Sequence, residues 1–195
     1  MMKIIPNKYN MIVAADRDWC IGNNGSLLDR FPDDMKFFKA ITNHKVVIMG
    51  SNTQKSLPTK YLRNRINIIL SSSNAPEDIE KYDTDTTRIW YVKNIQTIPL
   101  GINLFNYSQI NDCNNAKFDY ITDGDVFVIG GGMIYKQFMD NDLISTIYLT
   151  QIDHHYHGDT FIPNPFDYGF KETETIFDNF VNDNGVQYSI KVLRK

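Results

Sequence analysis

Two groups of residues in this chain have the types and spacing to do chemistry. The first centres on Asp34, in Phe31-Pro-Asp-Asp-Met-Lys-Phe-Phe-Lys-Ala-Ile41. Pro32 suits the first position of a helix, and acidic residues suit its first turn, where the dipole favours negative charge. Asp33 reads as that alone. Counting by i+4 and i+7 from Asp34 reaches Phe38 and Ile41, so its carboxylate falls on the apolar stripe, with Met35 beside it. A carboxylate there either caps the helix or works. Burial would raise its pKa and fit it to bond a basic, planar ligand or to take part in proton transfer. The residues alone leave both roles open.

The second group is Gly130-Gly131-Gly132, inside Asp125-Val-Phe-Val-Ile-Gly-Gly-Gly-Met-Ile-Tyr-Lys-Gln-Phe138. An apolar run stops at the glycines and helical spacing begins at once, which predicts a strand, a tight turn and a helix N-terminus. Such a junction suits phosphate, because glycines admit close backbone approach and the helix end offers free N–H groups. It is not the GxGxxG fingerprint, and a plain strand-to-helix turn has the same pattern. Two other strand ends repeat the theme: Gly50 runs into Ser51, Asn52 and Thr53, and Leu70 runs into Ser71, Ser72 and Ser73. Three such ends on one sheet favour a nucleotide-binding edge over three unrelated caps. Between the first strand and the Asp34 helix, Ile21-Gly-Asn-Asn-Gly25 has the composition of a lid or of a simple surface loop. His154-His-Tyr-His157 reads as a polar strand end, since only His155 and His157 would share a face and no Cys or Glu completes a metal site.

The elements that must position these groups follow from periodicity. Short β-rich runs at 11–15, 45–49, 66–70, 89–92, 126–129 and 146–150 look like strands buried on both faces. Helical segments at 32–41, 51–57 and 133–139 alternate with them. Residues 171–177 and 188–193 bracket the turn signal Asn182-Asp-Asn-Gly185, which predicts an antiparallel hairpin at one edge. The expected fold is therefore α/β, a mixed and mainly parallel central sheet flanked by helices, in one domain over 1–195. A polar, Asn-rich stretch at 95–122 is expected to be an insertion. With 195 residues, 42% hydrophobic, the chain can bury a substantial core. A net charge of -3 and the absence of a Lys/Arg run argue against nucleic acid as a partner. Cys20 and Cys113 show neither disulfide-framework nor zinc spacing, and no segment resembles a signal peptide or membrane span. A soluble cytoplasmic protein, favoured as a monomer and without a metal, is expected.

Taken in order, these residues resemble the dihydrofolate reductase family over nearly the whole chain. The matching stretches are Ile12-Val-Ala-Ala15, Ile21-Gly22, Pro32 to Phe38, Val47-Ile-Met-Gly50 with Thr53, Arg65 to Ser72, Val128 to Tyr135, Tyr148-Leu-Thr150 and Gly158-Asp-Thr160. The resemblance implies hydride transfer from NADPH to 7,8-dihydrofolate, giving tetrahydrofolate. It makes Asp34 the acid that bonds the pterin and promotes its protonation, Thr150 the support of that acid, and Leu27 the lid residue over the nicotinamide. It aligns Ile12, Val13, Met35, Phe38, Leu57 and Leu62 with the substrate pocket, and Arg65 with the arginine that receives the glutamate α-carboxylate, which a guanidinium can grip bidentately. On the cofactor side it aligns Ala14, Ile21, Gly22, Gly50, Asn52, Thr53, Ser71, Ser72, Lys93, Ile129, Gly130, Gly131, Gly132, Met133, Ile134 and Tyr135, within an adenosine-binding subdomain at about 50–100.

Departures accompany the matches. The family usually has Pro-Trp before the acid-bearing helix, and this chain has Leu28-Asp29, so a second acid near Asp34 would raise its pKa further or alter proton delivery. Ser51 and Met133 stand where many members carry arginines near the adenosine 2′-phosphate, which weakens the expected preference for NADPH over NADH. The alternatives are a same-fold reductase of another pterin or a pyrimidine, and a folate- or nucleotide-binding protein with little catalysis.

Overall fold

The computed structural model describes residues 8–73, 87–98 and 126–195. Its first strand, β1 (Tyr9–Ala15), leads through a short strand, β2 (Cys20–Gly22), to helix α1 (Pro32–Thr42). Strand β3 (Val46–Gly50), helix α2 (Ser51–Ser56), β4 (Ile66–Leu70) and β5 (Arg88–Val92) follow. Then come β6 (Val126–Gly130), helix α3 (Gly132–Asp140), β7 (Ile144–Ile152), β8 (Thr160–Phe161), β9 (Lys171–Val181) and β10 (Gln187–Arg194).

Eight strands make one sheet in the order β5-β4-β3-β6-β1-β7-β10-β9. The pairings from β5 across to β7 are parallel, and β10 joins β7 and β9 antiparallel. The mixed sheet and the closing hairpin are thus as the sequence predicts. The reason is visible in β3, where all five residues are buried. Val46 and Ile48 enter one core cluster, with Met11, Val13 and Phe138, while Val47 and Met49 enter a second, with Ile69 and Ile89. Successive side chains point to opposite faces, so a strand covered on both sides must be apolar throughout. Each such side chain contributes roughly 1.5–3 kcal/mol by leaving water.

Helix α3 buries Ile134, Tyr135, Phe138 and Met139, whereas Thr42 is the one fully buried residue of α1. That leaves α1 half open to solvent, with Asp34, Phe38 and Ile41 partly covered.

The structure departs from the sequence reading in four places. Strands β2 and β8, too short to carry a period, form a separate two-stranded sheet. Strand β9 runs on to Val181 as a largely exposed edge. Ile95 to Thr97 is a 3-10 turn, and Ile95 and Ile98 are core residues, so the start of the polar stretch is structural. Residues 99–122, with Cys113, lie outside the described residues. Finally, β7 ends at Ile152, so the three histidines follow the strand and do not extend it.

Candidate active site

Asp34 does not cap its helix. The N-cap position is Phe31, with no side-chain hydrogen bond, and the Asp34 carboxylate instead accepts a 2.5 Å bond from the Thr150 hydroxyl. Burial raises the Asp34 pKa above the ordinary carboxylate range, and the Thr150 bond opposes this without reversing it. Thr150 is fully buried on β7, paired in register with Ala14 on β1. The acid therefore sits against the centre of the sheet.

Beside it opens a cleft of about 1500 Å³ at the carboxyl ends of β1, β3, β4 and β6, where open parallel sheets bind ligands. Every residue assigned to the cofactor lines it: Ala14, Ile21, Gly22, Gly50, Asn52, Thr53, Ser71, Ser72, Lys93, Ile129, Gly130, Gly131, Gly132, Met133, Ile134 and Tyr135. Leu27 lines it too, 72% exposed. Two of its glycines are held by close contact. Gly130 has φ 114°, and a Cβ there would lie 3.1 Å from the Tyr135 ring; a Cβ on Gly132 would collide with the Phe161 carbonyl oxygen. The Gly131 N-cap brings no side-chain bond to the start of α3, which leaves early helix N–H groups for an anion.

Tyr135 joins the two regions. Its buried hydroxyl donates to the Ile12 carbonyl at 2.7 Å. Burial first, and then the charge of Asp34, drives its pKa strongly upward.

The substrate-side residues are spread more widely. Ile12 and Val13 are buried in β1, and Val13 alone of this set lines the large cleft. Met35 is exposed, while Leu57 and Leu62 pack on the second core cluster. Arg65 is buried with its guanidinium 5.9 Å from the Phe38 ring centre. It donates to Thr42 Oγ1, the Arg63 carbonyl and the Lys39 carbonyl. A guanidinium has about five N–H donors, so two remain after these three. Asn67, not singled out in the sequence, holds this region together: its side chain bonds Leu62 N–H and the carbonyls of Leu62, Arg65 and Arg88. A lone amide in a fully buried Ile-rich strand was the available signal. Lys55, Asp159, Thr160 and Phe161 also line the cleft unanticipated.

Asp29 corrects an expectation. Its carboxylate turns to Tyr156, Asn182 and Asn184, and these bonds, Asn184 foremost, hold its pKa at about 2. Asp34 is shifted by burial and Thr150, with no contribution from Asp29. Among the described residues no His, Cys, Asp and Glu group could hold a metal ion, and no helix is long and apolar enough to cross a membrane. His155 bonds Asp18 through Nδ1.

A mainly parallel sheet with a large cleft at its carboxyl edge and a perturbed acid alongside defines an α/β protein with a ligand-sized site at its sheet edge. The dihydrofolate reductase family model matches residues 8–195. The chain belongs to that family. It is 30% identical over 191 residues to a bifunctional dihydrofolate reductase-thymidylate synthase of Glycine max, covering 93% of this chain but only 32% of that protein. It is also 30% identical over 167 residues to a dihydrofolate reductase of Schistosoma mansoni, covering 80% of this chain and 78% of the other. The solved dihydrofolate reductase of Enterococcus faecalis, complexed with NADP(H) and RAB-propyl, shares the fold with a TM-score of 0.67 at 23% identity, over 97% of each chain.

Proposed function

We propose that this protein reduces 7,8-dihydrofolate to 5,6,7,8-tetrahydrofolate with NADPH. The carrying observation is the Asp34–Thr150 pair, an acid with a raised pKa beside the glycine-lined cleft. The reaction would add one hydride and one proton to the pterin. When bound, the cofactor supplies the hydride. Gly130 to Ile134 and the N-terminus of α3 would hold its pyrophosphate, and Thr53, Ser71, Ser72 and Lys93 its remaining polar groups. Asp34 bonds the pterin's ring nitrogen and amino group and favours the proton on N5, while Thr150 keeps the carboxyl oriented. Arg65 offers its two remaining donors to the substrate's α-carboxylate. Leu27 covers the reacting faces and excludes water.

The experiment is loss of reduced-nicotinamide absorbance on adding dihydrofolate, with NADPH and NADH in parallel and a folate analogue as inhibitor. Inhibitor-sensitive turnover is the expected result, with a modest preference for NADPH. Tight ligand binding without turnover would reject the enzyme in favour of a binding protein.

A further inference from the structure

Asp29 has no part in this mechanism, yet it collects more hydrogen bonds than Asp34. Its carboxylate accepts from Tyr156 Oη at 3.0 Å, Asn182 Nδ2 at 2.9 Å, Asn184 Nδ2 at 2.9 and 3.0 Å, and the Arg30 N–H at 2.7 Å. The donors come from the segment after β7 and from the turn between β9 and β10, more than a hundred residues away in sequence. Asn182 is itself buried. Its oxygen accepts from the N–H groups of Asn184 and Val186, so the same amide shapes the hairpin turn and reaches Asp29.

Tyr156 is anchored from its other end. Its N–H donates to Asp16 Oδ2 at 2.7 Å, and Asp16 Oδ1 accepts from Asp18 and Cys20, at the start of β2. Both roots of the connection from Asp16 to Phe31 thus converge on one tyrosine: the first through Asp16 and the second through Asp29. Between the roots lie Gly22, Gly25, Ser26 and Leu27, which line the large cleft.

We propose that Asp29 is a positioning residue that clamps the cleft-lining loop to the β9–β10 turn and so sets how long the dinucleotide stays bound. The proposal rests on the reading of the cleft as a dinucleotide site. Removing a bond to an ionised carboxylate frees the second root of the loop, and placing a second carboxylate there drives the root away.

The test uses Asn184→Ala, Asn184→Asp and Tyr156→Phe, since Asn184 is exposed and neither residue lines the cleft. NADPH release, measured by stopped-flow displacement, should quicken by roughly three- to tenfold in Asn184→Ala and further in Asn184→Asp. The KM for dihydrofolate and the pH midpoint of kcat should move little, a split that a merely structural role would not produce. Amide exchange at residues 23–28 should quicken in parallel. Unchanged exchange in all three variants overturns the clamp whether or not NADPH binds. Faster exchange with unchanged NADPH release overturns the link to cofactor residence, and failure of the unsubstituted protein to bind NADPH overturns the dinucleotide reading along with that link.

Discussion

Asp34 carries the chemistry, and its environment makes opposite demands on stability and on catalysis. Its pKa in the folded chain lies above the unfolded value, so the folded state holds the proton more tightly. The cost of burying the carboxylate is absent below the ordinary range near ~4 and grows as pH rises through the raised value. Asp34→Asn should therefore be more stable than the unsubstituted protein at neutral pH, an advantage that vanishes in acid when both are melted across pH. The same variant should lose about 10²–10⁴-fold in turnover, checked by kcat with fold and NADPH affinity intact. Asp29 behaves in the reverse sense. Its depressed pKa of about 2 means a stabilising contribution present above the ordinary carboxylate range and lost as pH falls toward that value. Asp29→Asn should flatten this acid limb of the stability profile. Asp34 was legible in sequence because helical spacing set it on the apolar face. Spacing alone does not reveal its partner: the resemblance names Thr150, 116 positions away, and only the sheet brings the two together. The orientation of Asp29 was hidden for the same reason.

At the scale of elements, the turn after β6 is a tight constraint. A methyl on Gly132 meets a backbone carbonyl, which cannot swing aside as a side chain can. Gly132→Ala should cost about 1–3 kcal/mol in denaturant unfolding and weaken NADPH more than dihydrofolate. On the other side of the sheet, Asn67→Ala would remove the acceptor of the Leu62 N–H and the amide donor shared by the Leu62, Arg65 and Arg88 carbonyls, of which Arg65 keeps the Arg88 N–H. It should cost roughly 1–3 kcal/mol and raise the dihydrofolate KM through a displaced Arg65, with little change in cofactor affinity. Arg65→Leu should show the same asymmetry more strongly; equal effects on the two ligands would contradict its assignment. The six apolar runs and the hairpin were readable because burial on two faces, or on one, writes a distinct pattern. Strands β2 and β8 were not, since two or three residues have no period and depend on each other for pairing. Ile95 and Ile98 were misjudged because two core contacts inside a polar stretch leave little trace in composition.

For the whole molecule, the sheet order sets β1 between β6 and β7, so one strand separates the glycine turn from the Thr150 support. Ligand binding on either side should be felt by the entire fold. NADPH at a hundred times its Kd should add about 2.7 kcal/mol to stability, read as a rise in Tm that tracks cofactor concentration. The cleft is bordered by Leu27, 72% exposed, and Met133, 77% exposed. Apolar side chains left in water at the rim of a cleft make calorimetry informative. Covering them removes hydrating water, so titration with cofactor should show a negative heat-capacity change and grow more exothermic on warming. Leu27→Ser should reduce that slope.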